Sequence, residues 1–246
     1  MIERSTRCAK LVSYVFRPPH ELTVGFLDDL KRQADAAKAA QQTDTGALDR
    51  NAQLTDAACR TAAAYFNTLT QQLNVLRPRS KGVFRLDRRH MFEGLQLGDF
   101  RADARRKKLR GADVFGHVAL RWKLVSGTKL SLMKNFLPDI EQLESRLRRS
   151  GAQVHTEAVR NPQTAKLQEM RYELVADFEA SVNITPEHDV GRVRFELINL
   201  DGFETVTVEF PAFEVGTARM DDLARWVMGE PHGFLKDGQA LRRVEA

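Results

Sequence analysis

The tetrapeptide Asp87-Arg88-Arg89-His90 places a carboxylate three residues ahead of an imidazole. An acid so placed orients a histidine for general base chemistry, but a cluster of this size is equally an ordinary polar surface loop. Pro138-Asp139 opens the Pro-Asp…Glu-x-Lys order of nucleases that gather carboxylates around Mg²⁺. No Glu-x-Lys follows on a later strand, and Asp139 stands where a helix start favours an acid for its dipole. The six histidines, at 20, 90, 117, 155, 188 and 232, include no pair at i, i+4 on an expected helix, the spacing that puts two imidazoles on one metal. His117 lies on the opposite side of its strand from Trp122 and reads as a surface histidine; His188, in TPEHDVG, reads as a turn residue. Gly-x-x-x-x-Gly-Lys-[Ser/Thr], Gly-x-Gly-x-x-Gly and Gly-x-Ser-x-Gly are all missing. No catalytic, cofactor-binding or metal-ligating residue is therefore expected.

What remains is charge. FRADARRKKLRG, residues 100–111, carries six cations in twelve residues. The wider window 77–110 holds twelve: Arg77, Arg79, Lys81, Arg85, Arg88, Arg89, Arg101, Arg105, Arg106, Lys107, Lys108 and Arg110. Against them stand Asp87, Glu93, Asp99 and Asp103, an excess of eight positive charges in a chain whose net charge is +5. All of the chain's basic character thus sits in one window, which marks it for an acidic partner or a nucleic-acid backbone. Six phosphate contacts would give a log–log salt slope of about −5. Phe84, Phe92 and Phe100 interleave with the charges in the way of base-stacking aromatics, although ordinary core residues show the same spacing. The basic run lacks the large apolar residues that seat a segment in a bilayer interface, so no membrane partner is expected.

The elements that must position these groups follow from periodicity. The chain has 246 residues, 42% hydrophobic and 29% charged, the composition of a globular protein with a sizeable core. Residues 10–16, KLVSYVF, read as a short strand ended by Pro18-Pro19. Leu27, Leu30, Ala34, Ala37 and Gln41, then Thr55, Cys59, Ala62, Phe66, Leu69, Leu73 and Leu76, follow a 3-4 spacing on either side of QTDTG. Two such seams joined by a polar loop predict an antiparallel helical hairpin over 19–78, closed by Pro78.

From Lys81 the period becomes two. Val114, Val118, Leu120, Trp122 and Leu124 share one face, with Arg121 and Lys123 on the other, and Ser126-Gly127-Thr128 reads as a hairpin loop pairing Leu124 with Leu130. Residues 172–184 alternate throughout. In RVRFELINLDGFETVTVEF, Asp201-Gly202 is a type I′ turn signal that pairs Leu197 with Val206, Phe195 with Val208, Val193 with Phe210 and Arg194 with Glu209. Helices are expected over 138–149, stopped by Gly151, and over 218–228, stopped by Gly229 and Pro231. The residues after that read as a loose tail. For the basic run, Asp99 as cap and Gly111 as stop favour a helix over 100–109; a strand with Phe100, Ala102 and Ala104 inward is the alternative.

The expected class is α+β: an N-terminal antiparallel helical hairpin plus a twisted antiparallel sheet covered on one face by helices. Residues 1–18 form an N-terminal strand and linker, 19–78 the hairpin and 79–246 the α+β domain. Two distant cysteines without Cys-x-x-Cys, a polar N-terminus and no run of 18 apolar residues predict a cytoplasmic protein. The expected function is that of a non-enzymatic binding or adaptor protein, docking a protein partner or a second copy of itself through the hairpin and the basic surface. Backbone-directed DNA or RNA binding through 77–110 is the alternative.

Overall fold

The computed structural model describes residues 26–245, with side chains at 27–38 and 44–245. The strand expected over 10–16, the linker to 18 and the first residues of the expected hairpin lie outside the described residues. The chain divides into two compact units, Met1–Asp44 and Thr45–Ala246. The described part of the first is helical; the sheet belongs to the second.

Helix α1 spans Phe26–Leu76 without interruption. The hairpin is thus not formed within the described residues: QTDTG is itself helical. Gly46 is the one strong helix breaker there, and a single glycine costs a helix about 1 kcal/mol relative to alanine, less than the main-chain hydrogen bonds that a turn would open. Leu27 and Leu30 of the first seam are exposed. The second seam is buried, with Thr55, Cys59, Ala62, Phe66 and Leu73 at 2% exposure or less, but it packs into the core beneath the sheet. Leu76, its last expected member, is exposed.

After α1 come two short strands that pair with each other, β1 (Val83–Arg85) and β2 (Met91–Glu93). Then follow β3 (Gln96–Leu109), β4 (Ala112–Lys134), helix α2 (Leu137–Ser150), β5 (Val154–Arg160), β6 (Leu167–Glu187), β7 (Arg192–Ile198), β8 (Glu204–Pro211), helix α3 (Thr217–Val227) and β9 (Gln239–Glu245). The seven strands β3–β9 form one antiparallel sheet in the order β3-β4-β6-β7-β8-β9. β5 pairs with β6 at 167–174, on the edge that β7 occupies at 181–187.

The sheet buries one side of β6, β7 and β8 and of the middle of β4, while β3 is buried only at Leu97 and Phe100. On β6, Tyr172, Leu174, Ala176, Phe178, Ala180, Val182 and Ile184 are all buried, as the alternation predicts. Ile140, Leu143 and Leu147 of α2 and Met220, Leu223 and Val227 of α3 are buried as expected. Gly151 ends α2 with φ 67°, the left-handed cap its sequence position requires. Trp226 of α3 is fully buried as well and packs on Phe234, which links α3 to Phe195 and Phe210 of the sheet.

Four expectations are corrected. Residues 100–109 are strand, not helix: β3 continues through them, paired with β4 from Arg101 to Leu109. Pairing with β4 satisfies main-chain groups that an isolated helical turn would leave to water, and this outweighs local end signals. Ser126-Gly127-Thr128 is not a hairpin loop but a bulge inside β4, where three residues face Ala176 alone. Gly127 supplies the left-handed φ of 67°, and Asp177 on β6 accepts the N–H groups of Ser126 (3.0 Å) and Gly127 (2.9 Å). The β7–β8 register is the expected one at every pair, yet no type I′ turn forms. Leu200 and Phe203 tuck into the core, and a four-residue loop centred on the same point keeps the register, opened by Asn199 at φ 59°. The tail is not loose: β9 pairs with β8 and closes that edge.

Candidate anion-binding surface

Strand alternation decides which cations share a surface. On the face of the sheet opposite its buried side chains, Arg101 and Arg105 of β3 stand opposite Arg121 and His117 of β4, and Lys123 stands opposite Glu179 of β6. Arg148 and Arg149, at the C-terminal end of α2, join them. Together these side chains line an open depression of about 940 Å³.

The central relationship is Arg101 opposite Arg121, two exposed guanidinium groups on directly paired residues. Like charges so placed repel, at a cost of several tenths of a kcal/mol by order of magnitude (roughly 0.2–1). Neither arginine makes an ion pair or side-chain hydrogen bond among the described residues, and neither does Arg148. Their neighbours are neutralised: Arg105 Nε donates to Asp103 (3.2 Å), and Lys123 reaches Asp99 at 3.1 Å. The Lys123 ammonium, helped by Arg101 and Arg77, holds the Asp99 carboxyl below its ordinary range. His117 is pushed down from its ordinary value by its partial burial and then by Arg105.

The other cations of the window go elsewhere. Arg106 donates to Asp113 at 2.9 Å and stacks over the Phe115 ring, 4.7 Å from its centroid. The stem of Lys107 lies over Gly116, whose missing side chain leaves the room, and Lys108 is exposed at the end of β3. Arg110 is a structural tie, bound to Asp189 (2.6 Å), Asp49 (3.5 Å) and the carbonyl of Leu48 (3.2 Å). Lys81 pairs with Glu230 at 3.0 Å, and Arg79 donates to the carbonyl of Gly94. Arg77 is exposed just beyond α1, at φ 43°. Arg85, Arg88 and Arg89 are exposed on β1 and the loop after it. The twelve residues therefore fall into separate groups. The sheet-face group gains Arg121, Lys123, Arg148 and Arg149, which lie outside the window. The signal for Arg121 and Lys123 was their alternation with Trp122; nothing in the local pattern brings α2 to the same depression.

The interleaved phenylalanines are core. Phe84 and Phe100 are buried, Phe100 stacks on Trp122, and Phe92 packs edge-on against Phe178. Burial rules out base stacking on Phe84 and Phe100; Phe92 is partly buried, its ring packed against the core. Of the chemical candidates, Asp139 lies in the first turn of α2, and His188 is a buried turn residue with Nε2 2.7 Å from the carbonyl oxygen of Phe115. Asp87 and His90 do come together, Oδ1 to Nδ1 at 2.9 Å. Among the described residues no group of three His, Cys, Asp or Glu side chains is placed to hold a metal ion, and no helix is long and apolar enough to cross a membrane. No protein family, curated protein or solved structure matches the chain.

Proposed function

We propose that this chain is a binding protein that docks an acidic segment of another protein on the outer face of its sheet. The observation that carries the reading is the unneutralised Arg101–Arg121 pair, set in one depression with Arg148. A carboxylate-rich partner relieves their repulsion and is steered to them before contact. Asp99, Asp103 and Glu179 line the same depression. This mixture of signs suits a protein, whose own basic residues can meet those acids, better than a uniformly charged phosphate backbone. β3 is an edge strand of the sheet, so an extended segment also has main-chain groups to pair with there.

Nucleic-acid backbone binding is the second reading, favoured by Lys107 and Lys108, which extend the cations along β3 with no ion pair among the described residues. Self-association is kept as a further outcome, since α1 exposes Leu27 and Leu30.

The test is the double reversal Arg101→Glu/Arg121→Glu, with fold checked by circular dichroism. Fluorescence anisotropy measures binding of a glutamate-rich peptide and of nonspecific single- and double-stranded DNA at several salt concentrations, and light scattering reports the mass. The reading expects wild type to hold the acidic peptide and the reversal to weaken it tenfold or more. DNA binding with a steep salt slope and no peptide binding would replace it with the second reading. Equal peptide binding by both proteins would overturn it.

A further inference from the structure

A second cationic site lies apart from the sheet-face depression, built on the loop between β1 and β2. Leu86 N–H donates to the carbonyl of His90 (2.9 Å), closing the loop on itself. Asp87 holds it from inside: Oδ1 accepts the N–H groups of Arg89 and His90, each at 2.8 Å, and lies 2.9 Å from His90 Nδ1. Asp87 Oδ2 accepts Lys134 Nζ of β4 at 2.8 Å, and Arg146 of α2 donates to the carbonyl of Leu86 at 2.9 Å. The Asp87 and Lys134 side chains are only 12% and 21% exposed. Burial would raise the Asp87 carboxyl, but the hydrogen bonds from Lys134, Arg89 and His90 outweigh it and hold it far below the usual carboxylate range. Asp87 is therefore an ionised carboxylate, with both oxygens engaged in holding the loop.

This arrangement has two consequences. His90 is oriented through Nδ1, and its Nε2 has no hydrogen bond among the described residues although the ring lines an open cleft of about 690 Å³. Arg85, Arg88 and Arg89 line the same cleft, exposed and without an ion pair among the described residues. Asp87 and Lys134 neutralise each other, so these three arginines face one further carboxylate of the cleft lining, Asp139. The cleft lies within the size of small-molecule sites, roughly 300–1,000 Å³.

We propose that this cleft binds a phosphomonoester, its oxygens taken by the guanidinium groups of Arg85, Arg88 and Arg89 and, when the His90 ring carries both protons, by His90 Nε2–H. A compact dianion matches the surplus charge, and guanidinium forks pair bidentately with phosphate oxygens. The group is carried either by a soluble metabolite or by a lipid. Phe136 and Leu137, 60% and 59% exposed at the start of α2 immediately after the cleft residue Asn135, offer an apolar footing for the lipid case.

The test uses the full chain. Calorimetry titrates inorganic phosphate and ribose 5-phosphate, and sedimentation measures binding to phosphatidylcholine vesicles with and without phosphatidic acid. Arg88→Ala/Arg89→Ala removes two exposed side chains that tie nothing in the fold, and should weaken binding tenfold or more. In ¹⁵N spectra the His90 Nε2 resonance should move on titration with phosphate, a response that a purely structural histidine would lack. Binding of the soluble probes assigns a metabolite; binding only of phosphatidic acid vesicles assigns a lipid. Arg101→Glu/Arg121→Glu should bind phosphate as wild type does, so the two sites fail or succeed separately. Absence of binding to every probe, or equal binding by the Arg88/Arg89 variant, overturns the assignment.

Discussion

Asn74 stands in for a strand partner of Phe100: its Nδ2 donates to the Phe100 carbonyl and its Oδ1 accepts the Phe100 N–H, both at 2.9 Å. The pairing falls where β3 shifts register against β4, between Gly98 and Arg101, with Asp99 at φ 54°. One side chain of α1 thus fixes the irregularity after which Arg101 comes to face Arg121. Asn74→Ala leaves both main-chain groups of a buried residue unsatisfied and should cost about 2 kcal/mol, in the range of roughly 1–3 for such groups. Urea denaturation checks the loss. Faster amide exchange at Phe100, with distant strands unchanged, would place it at this junction.

Arg101→Glu alone should act oppositely on stability and on binding. It turns a like-charged cross-strand pair into an opposite-charged one with Arg121, stabilising the fold by about 0.5 kcal/mol, while it weakens the acidic peptide several-fold. Paired thermal melts and anisotropy titrations read both. A variant that loses stability would mean that the arginines do not repel in the free protein.

Asp87 makes stability depend on acid. Its carboxyl is held low in the folded protein, chiefly by Lys134, Arg89 and His90 against the effect of burial. The stabilisation is therefore complete above the unfolded-state value, near about 4, and is lost progressively as pH falls from there toward the folded value. Asp87→Asn should be less stable than wild type at pH 7, and the gap should narrow steadily below about pH 4. Urea melts across that range measure it; a gap that is constant with pH would contradict the ionised assignment.

Cys59 should be chemically silent. It is fully buried in the seam of α1, and burial, aided by Asp56, pushes its thiol up to about 12. In a Cys8→Ser background, a colorimetric thiol reagent should react only at the rate of unfolding, then stoichiometrically in denaturant. Rapid labelling of the folded protein would show that α1 leaves the sheet readily.

Where neighbouring residues carried the signal, the sequence was readable. β6 alternates for thirteen positions, and that side of it is buried throughout. The β7–β8 register followed from apolar and charged pairs flanking one loop, even though the loop took another shape. α2 and α3 followed from a 3.6-residue stripe and their terminal residues. The candidate surface was legible only as a charge excess. Arg101 and Arg121 are twenty positions apart, and no local pattern says that they face each other.

What the sequence determined by itself is the period of each segment, hence which side chains point to a common face, because that depends only on backbone geometry over a few residues. What tertiary structure decided is what each face meets. It set the α1 seam into the core under the sheet where a second helix was expected. It absorbed Ser126–Thr128 as a bulge held by Asp177, drew residues 100–109 into a strand, and paired β9 with β8. These outcomes rest on main-chain hydrogen bonds and buried contacts between residues distant in sequence. Such contacts outweigh the fractions of a kcal/mol by which local preferences differ.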